Sequence, residues 1–255
     1  ADSPVFKKTA IVTDLIPSRF LSVVDLCSYN FQNKIEKIYN FEKSNNRKVT
    51  EQELVSFYIP EYTPINQDEV LPLSSFKYIG EDLESLKSIL NKRQKKDILI
   101  WGNPGYGKTE IVYSLAKESN SQLLDLNNII CLDDIGEDKA RLKKMLEFKM
   151  IATHISDFVL LVDEAEDFLH DKSAKNWINS NIGKQDITTF WILNDIKDIH
   201  SSFLRRFDYI LEINNMPFEN RLELAENLLK ENNIDNLAYK IAQAIHTPAE
   251  IISAI

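Results

Sequence analysis

Four short segments of this chain are apolar at nearly every position, and between them apolar residues recur every three or four positions. Residues 97–101 (Asp-Ile-Leu-Ile-Trp), 158–162 (Phe-Val-Leu-Leu-Val), 187–193 (Ile-Thr-Thr-Phe-Trp-Ile-Leu) and 209–213 (Tyr-Ile-Leu-Glu-Ile) have the length of strands, and their β-branched and aromatic content suits burial on both faces. Helical spacing over 81–95, 109–118, 218–231, 235–245 and from Pro248 onward predicts amphipathic helices. Such alternation predicts an α/β domain built on a parallel sheet and closed by a small helical unit. The last helix carries its own start signal: Thr247 can cap, Pro248 takes the first helical position, and Glu250 completes a capping box.

The first 70 residues are less regular. Over residues 19–41, Phe20, Val23, Val24, Cys27, Phe31, Ile35 and Ile38 are spaced as on one helix face, and Thr50 with Glu53 forms a second capping box. Pro60, Pro64 and Pro72 mark a linker. The predicted organisation is a mainly helical N-terminal region and linker over 1–70, an α/β domain over 71–214, and a helical lid over 215–255. The chain stops one or two turns into its last helix, so the lid is short or the sequence is a fragment.

Composition narrows the function. The 255 residues carry 30 basic and 39 acidic side chains, a net charge of −9, whereas proteins that grip a phosphate backbone usually present a basic face. Lys34, Lys37, Lys43, Arg47 and Lys48 form a basic stretch, but the first 70 residues are acidic overall, and nucleic acid is not an expected partner. No run approaches the roughly 20 apolar residues of a membrane span, and the first 30 residues lack a signal pattern, which predicts a cytoplasmic protein without membrane attachment. Cys27 and Cys131 lie far apart with no metal spacing. His154, His170, His200 and His246 fall in unrelated segments.

Glycine is scarce, with six in the chain, yet three stand together in Gly102-Asn103-Pro104-Gly105-Tyr106-Gly107-Lys108-Thr109. This is a full G-x-x-x-x-G-K-[ST], placed after a predicted strand and opening a predicted helix, as a phosphate-binding loop requires. Main-chain N–H groups can converge on a phosphate only where no Cβ intervenes, hence the glycines. Lys108 adds a cation, Thr109 a hydroxyl for Mg²⁺, and the helix N-terminus, with Glu110 next in line, a favourable dipole. Two further strands stop in polar residues, the first at Asp163-Glu164 and the second at Asn194. Ligands of open α/β sheets bind beyond the carboxyl ends of the strands, which gathers Lys108, Asp163, Glu164 and Asn194 around one phosphate tail. There Asp163 suits Mg²⁺, Glu164 can polarise an attacking water, and Asn194 can hold that water or the γ-phosphate without adding charge.

These motifs, in this order, resemble the AAA+ ATPases and, within them, the AAA-type group. Residues 102–109 resemble Walker A, 159–164 Walker B, and 191–194 the sensor 1 strand. Ser202-Phe203-Leu204-Arg205-Arg206-Phe207-Asp208 is similar to the arginine-finger segment. The resemblance, which covers residues 72–255, implies a Mg²⁺-dependent ATP hydrolase. Arg205 and Arg206 would then act across a subunit interface in a homo-oligomeric ring, a hexamer, that remodels a protein target. It also places Tyr78 and Ile79 in a linker bordering the adenine, and Ala249 in the lid where a sensor 2 arginine is absent. No GTPase base-reading motif is present, so ATP is expected. Residues 127–135 lack the aromatic residue that protein-threading rings place after the second strand, which weighs against polypeptide unfolding. The competing readings are a nucleotide-dependent oligomeric switch with little hydrolysis and a DNA-associated loader.

Overall fold

In the computed structural model of the chain, residues 28–49, 53, 68–126, 158–166, 187–197, 199–231 and 237–254 are described. Helix α1 (Ser28–Asn45) comes first and is followed by the exposed Arg47, whose guanidinium takes both carboxylate oxygens of Glu53 at 2.6 and 2.8 Å. Residues 19–27 of the expected N-terminal helix, Thr50 of the first capping box, Pro60, Pro64, Cys27, Cys131, His154, His170 and the 127–135 loop lie outside the described residues.

A 3₁₀ helix (Leu73–Ile79) leads through Gly80 into α2 (Glu81–Asn91). Residues 73–79 of the expected linker are thus helical, with Phe76 fully buried beneath them. Helix α2 ends four residues short of the expected Lys95, because Arg93 takes a left-handed conformation (φ 52°) and bonds back to Leu90 O. Next come β1 (Asp97–Trp101), α3 (Lys108–Glu118), β2 (Gln122–Asp125), β3 (Phe158–Val162) and β4 (Thr188–Leu193), then the single turn α4 (Ser201–Leu204) and β5 (Tyr209–Glu212). The C-terminal unit is α5 (Phe218–Glu231), α6 (Ala238–Ala244) and α7 (Pro248–Ala254).

The five strands form one parallel sheet in the order β2-β3-β4-β1-β5. All of β3 and β4 is buried, as the continuous apolar runs require of central strands flanked by helices. Each fully buried Leu, Ile or Phe contributes about 1.5–3 kcal/mol, so the interior of the sheet dominates the stability of the domain. Strand β1 lies between β4 and β5, its register pairing Trp101 with Leu193 on one side and with Glu212 on the other. The chain leaves β1 for the far edge at β2, returns through β3 and β4, and then crosses β1 to reach β5. The loop that leaves β1 therefore opens where successive crossovers depart in opposite directions, the position at which such sheets bind ligands.

The helical unit packs on the same domain. Its α5 contributes Leu224, Ala225 and Leu229, and α7 contributes Ile251, to the core that holds Phe76, Ile98 and Ile111. Arg221, almost fully buried, donates to Met216 O at 2.6 Å and Ala242 O at 3.2 Å, fixing α5 against α6.

Candidate functional site

The 102–109 loop is shaped by its glycines. Gly102 extends the sheet by donating to Leu193 O at 3.3 Å, while Ile213 donates to Trp101 O at 2.7 Å. A Cβ on Gly102 would stand 2.3 Å from Ile213 O, so only glycine fits between β4 and the end of β5. Gly105 (φ 81°) and Gly107 (φ 82°) are left-handed, and their neighbours are also close: Thr247 side-chain atoms from 3.1 Å, and Phe76 at 3.3 Å, from the positions a Cβ would take. Among the described residues, their N–H groups have no hydrogen-bond acceptor. Two unengaged amides just before a helix N-terminus suit a phosphate.

Lys108 is folded back beneath this loop and is 6% exposed. Its ammonium donates to Gly102 O at 2.6 Å, Asn103 O at 3.0 Å and Asn194 Oδ1 at 3.0 Å. All three acceptors are neutral. Burial pushes the Lys108 pKa down, against the opposing pull of the Asp163 and Glu166 carboxylates. Thr109, one residue on, donates its hydroxyl to Asp163 Oδ2 at 2.7 Å. The loop is thus tied to the ends of two neighbouring strands, through Lys108 to β4 and through Thr109 to β3.

The turn after β3 is compact. Asp163 Oδ1 accepts the Glu164 N–H at 2.9 Å, and the Ala165 N–H donates across to Ile192 O at 3.0 Å. Glu164 occupies the left-handed region (φ 51°), which costs of order 1 kcal/mol in a residue with a Cβ. Its side chain is exposed, and its carboxylate makes no hydrogen bond or ion pair among the described residues. Glu166 turns back to accept the main-chain N–H of Asn194, closing the gap between the two strand ends.

The remaining expected residues fall into three groups. Asn103 and Tyr106 face each other across the loop, Asn103 Nδ2 donating to the Tyr106 hydroxyl at 3.1 Å, while Pro104 is exposed at the tip. Ala249 also lies against the loop, its N–H donating to Gly105 O at 3.4 Å, at the start of a helix whose Thr247 and Glu250 form the expected reciprocal cap at 3.3 Å each. Tyr78 and Ile79 sit in the 3₁₀ helix, half-buried against the core. The Tyr78 hydroxyl is buried without a partner among the described residues, and burial pushes its pKa up to about 12. Glu110 is similar, with Oε2 buried and unpartnered among the described residues and its pKa raised by burial against a hydrogen bond from the Leu71 main chain.

Arg205 and Arg206 are not part of this cluster. They precede β5, whose Tyr209 is level with Ile98 at the start of β1, and the Asp208 N–H donates to Asp97 O at 2.8 Å. The phosphate loop leaves from the other end of β1, five residues or about 16 Å along the strand. Arg205 is exposed and its guanidinium makes no hydrogen bond or ion pair among the described residues. The nearby Asp208 carboxylate is taken by Lys96 Nζ and the Asp97 N–H, each at 2.9 Å.

Two contributors carry no signal of their own in the motifs, Glu166 and Phe76, and Thr247, expected only as a cap, also packs on Gly105. Glu166 left a trace in the run Asp163-Glu164-Ala165-Glu166, an acid four residues beyond the strand end, but a solvated turn produces the same pattern.

A parallel sheet, a glycine loop at its switch point and a lysine and threonine tied to adjoining strand ends define a P-loop nucleotide-binding module. Residues 98–215 match the family described as "ATPase family associated with various cellular activities (AAA)". This stretch is an AAA domain, and the chain carries an AAA+ P-loop ATPase fold. Among curated proteins, it is 23% identical over 189 residues to the outer mitochondrial transmembrane helix translocase of Homo sapiens, covering 68% of this chain and 50% of that protein. The Xenopus tropicalis protein of the same name is 21% identical over 190 residues, with the same coverage. The chain therefore spans about half the length of the curated relatives it matches. A chain of the E. coli MS115-1 HORMA:CdnC:Trip13 complex superposes with a TM-score of 0.50 at 13% identity, over 71% of this chain and 78% of that one, a likeness of fold.

Proposed function

We propose that this chain binds ATP with Mg²⁺, hydrolyses it, and couples the cycle to remodelling a protein target as part of a homo-oligomeric ring. The observation that carries the proposal is the pair of side-chain bonds, Thr109 to Asp163 and Lys108 to Asn194, that draws the phosphate loop onto both adjoining strand ends. The donor set also fits the metal. Thr109 Oγ1 and Asp163 Oδ2 are hard oxygen donors side by side, and no larger cluster of acidic, His or Cys ligands occurs among the described residues. That sparseness suits Mg²⁺, which keeps several waters and takes its other ligands from phosphate. When bound, the ion supplies positive charge to the phosphate oxygens.

The chemistry assigned to the chain's own groups follows from their places. The amides of residues 105 and 107 and the α3 N-terminus bind the phosphates, and Lys108 exchanges one of its neutral oxygen partners for a phosphate oxygen. Asn194 orients the attacking water or the γ-phosphate. Glu164, exposed at the strand ends with no competing partner among the described residues, accepts the proton of that water as its oxygen bonds to the γ-phosphorus and the bond to the β–γ bridging oxygen breaks. Gly105, Gly107 and the start of α7 touch, so a change in the loop reaches the helical unit directly. A polypeptide target is supported by relatives whose name is helix translocase.

Arg205 and Arg206 lie at the far strand ends from their own phosphate loop, so either can serve a transition state only in another subunit. An isolated subunit then binds nucleotide and turns it over slowly. Phosphate release per subunit is expected to rise with protein concentration, and Arg205→Ala or Arg206→Ala to abolish the rise while nucleotide affinity is kept. A flat rate from a strict monomer would instead favour a site that works alone.

A further inference from the structure

We propose that Glu166 is a positioning residue that aims Asn194. This rests on the hydrolase reading of the same site. Strand β4 ends its ladder at Leu193, whose carbonyl accepts the Gly102 N–H, so the next main-chain donor, at Asn194, has no strand to pair with. Glu166 Oε1 accepts that N–H from the neighbouring strand end. Two residues earlier on β4, Ile192 O accepts the Ala165 N–H at 3.0 Å, so the turn holding Glu166 is itself fixed to β4. Asn194 is otherwise exposed, in a short turn with Asp195 and Lys197.

A side chain on such a turn delivers its carbonyl to Lys108 only if its own main chain is held, and Glu166 supplies the hold. The contact requires an acceptor, not a negative charge. A glutamine at 166 keeps an Oε1 of the same reach, whereas alanine removes the acceptor altogether. Glu166 touches neither water nor phosphate in this scheme, so its effect is expected in the chemical step rather than in binding.

The test uses the chain as it stands, with Glu166→Ala, Glu166→Gln, Asn194→Ala and the Glu166→Ala/Asn194→Ala pair. Glu166→Ala is expected to lower kcat about 10- to 100-fold, the usual consequence of a loosened catalytic geometry, with KM for ATP held within about 2-fold. Glu166→Gln is expected to recover most of that loss. In an Asn194→Ala background, Glu166→Ala should cost little further, because the group it aims is gone. An equal, additive loss in that background, or a Gln variant as poor as Ala, would overturn the assignment.

A second measurement does not depend on turnover. Amide hydrogen exchange at Asn194 in the nucleotide-free protein should quicken in Glu166→Ala and stay near wild type in Glu166→Gln; unchanged exchange in both would overturn it. If the wild-type chain fails to hydrolyse ATP at any concentration while this exchange pattern holds, the hydrolase reading fails and the Glu166 to Asn194 link stands. Normal hydrolysis with unchanged exchange sinks the link alone.

Discussion

At the amino ends of the strands, Asp97 is 1% exposed and accepts the Trp191 indole N–H at 3.0 Å, while its main-chain N–H goes to Asp208 and Asp208 takes Lys96. At the carboxyl ends of the same strands, Lys108 is also buried but bonds three neutral oxygens, and among the described residues Glu164 has no partner and two glycine amides have no acceptor. Both clusters cross-link β1 and β4, and both bury charge in one sheet. They differ in what can be exchanged. An indole N–H and a main-chain N–H against carboxylates are matched pairs that nothing in solution improves upon, whereas an ammonium among carbonyls gains when an anion arrives. The first cluster holds the sheet together, and the second stays available, at the cost of three positive-φ glycines and one left-handed glutamate.

The comparison breaks most clearly at Lys108. Lys108→Ala should weaken ATP binding about 10- to 100-fold in titration calorimetry, the value of charge-assisted contacts, while the thermal midpoint moves by no more than about 3 °C. A large loss of stability with little loss of affinity would place Lys108 with the structural cluster. Asp97→Ala should do the reverse. It leaves the indole N–H of the fully buried Trp191 without its acceptor, which costs about 1–3 kcal/mol in denaturant unfolding, and ATP affinity in the folded protein should not change. A smaller effect sharpens the picture at the boundary between loop and helical unit: Thr247→Ala removes half of a reciprocal cap and should cost about 1 kcal/mol. Because the same side chain packs on Gly105, it should also shift nucleotide affinity by a few-fold, whereas a cap remote from the loop would not.

The parts of this arrangement readable from residues alone are those where one physical demand dominates. Continuous apolar runs such as Phe158–Val162 admit little but a central strand, and Gly102, Gly105 and Gly107, in a chain with so few glycines, mark a backbone that must approach something closely. The strand ends at Asp163 and Asn194 then follow from where each run stops. What escaped depends on contacts between distant segments. Glu166 acquires its partner only because β3 and β4 are neighbours in an order no local pattern reveals, and Phe76 meets Gly107 only through the 3₁₀ turn that forms the linker. The placement of Arg205 and Arg206 at the opposite strand ends likewise emerges from the parallel register of β1 with β5. Helix α2 shows the limit of periodicity: apolar spacing cannot foresee that Arg93 would turn left-handed and end it.

The most direct test of the central claim is a crystal structure of the Glu164→Gln variant with ATP and Mg²⁺. A triphosphate is expected against the amides of Gly105 and Gly107, with Lys108 Nζ moved from at least one of its present oxygens onto phosphate and the metal beside Thr109 and Asp163. Nucleotide bound elsewhere, with Lys108 still on Gly102 O, Asn103 O and Asn194, would contradict it.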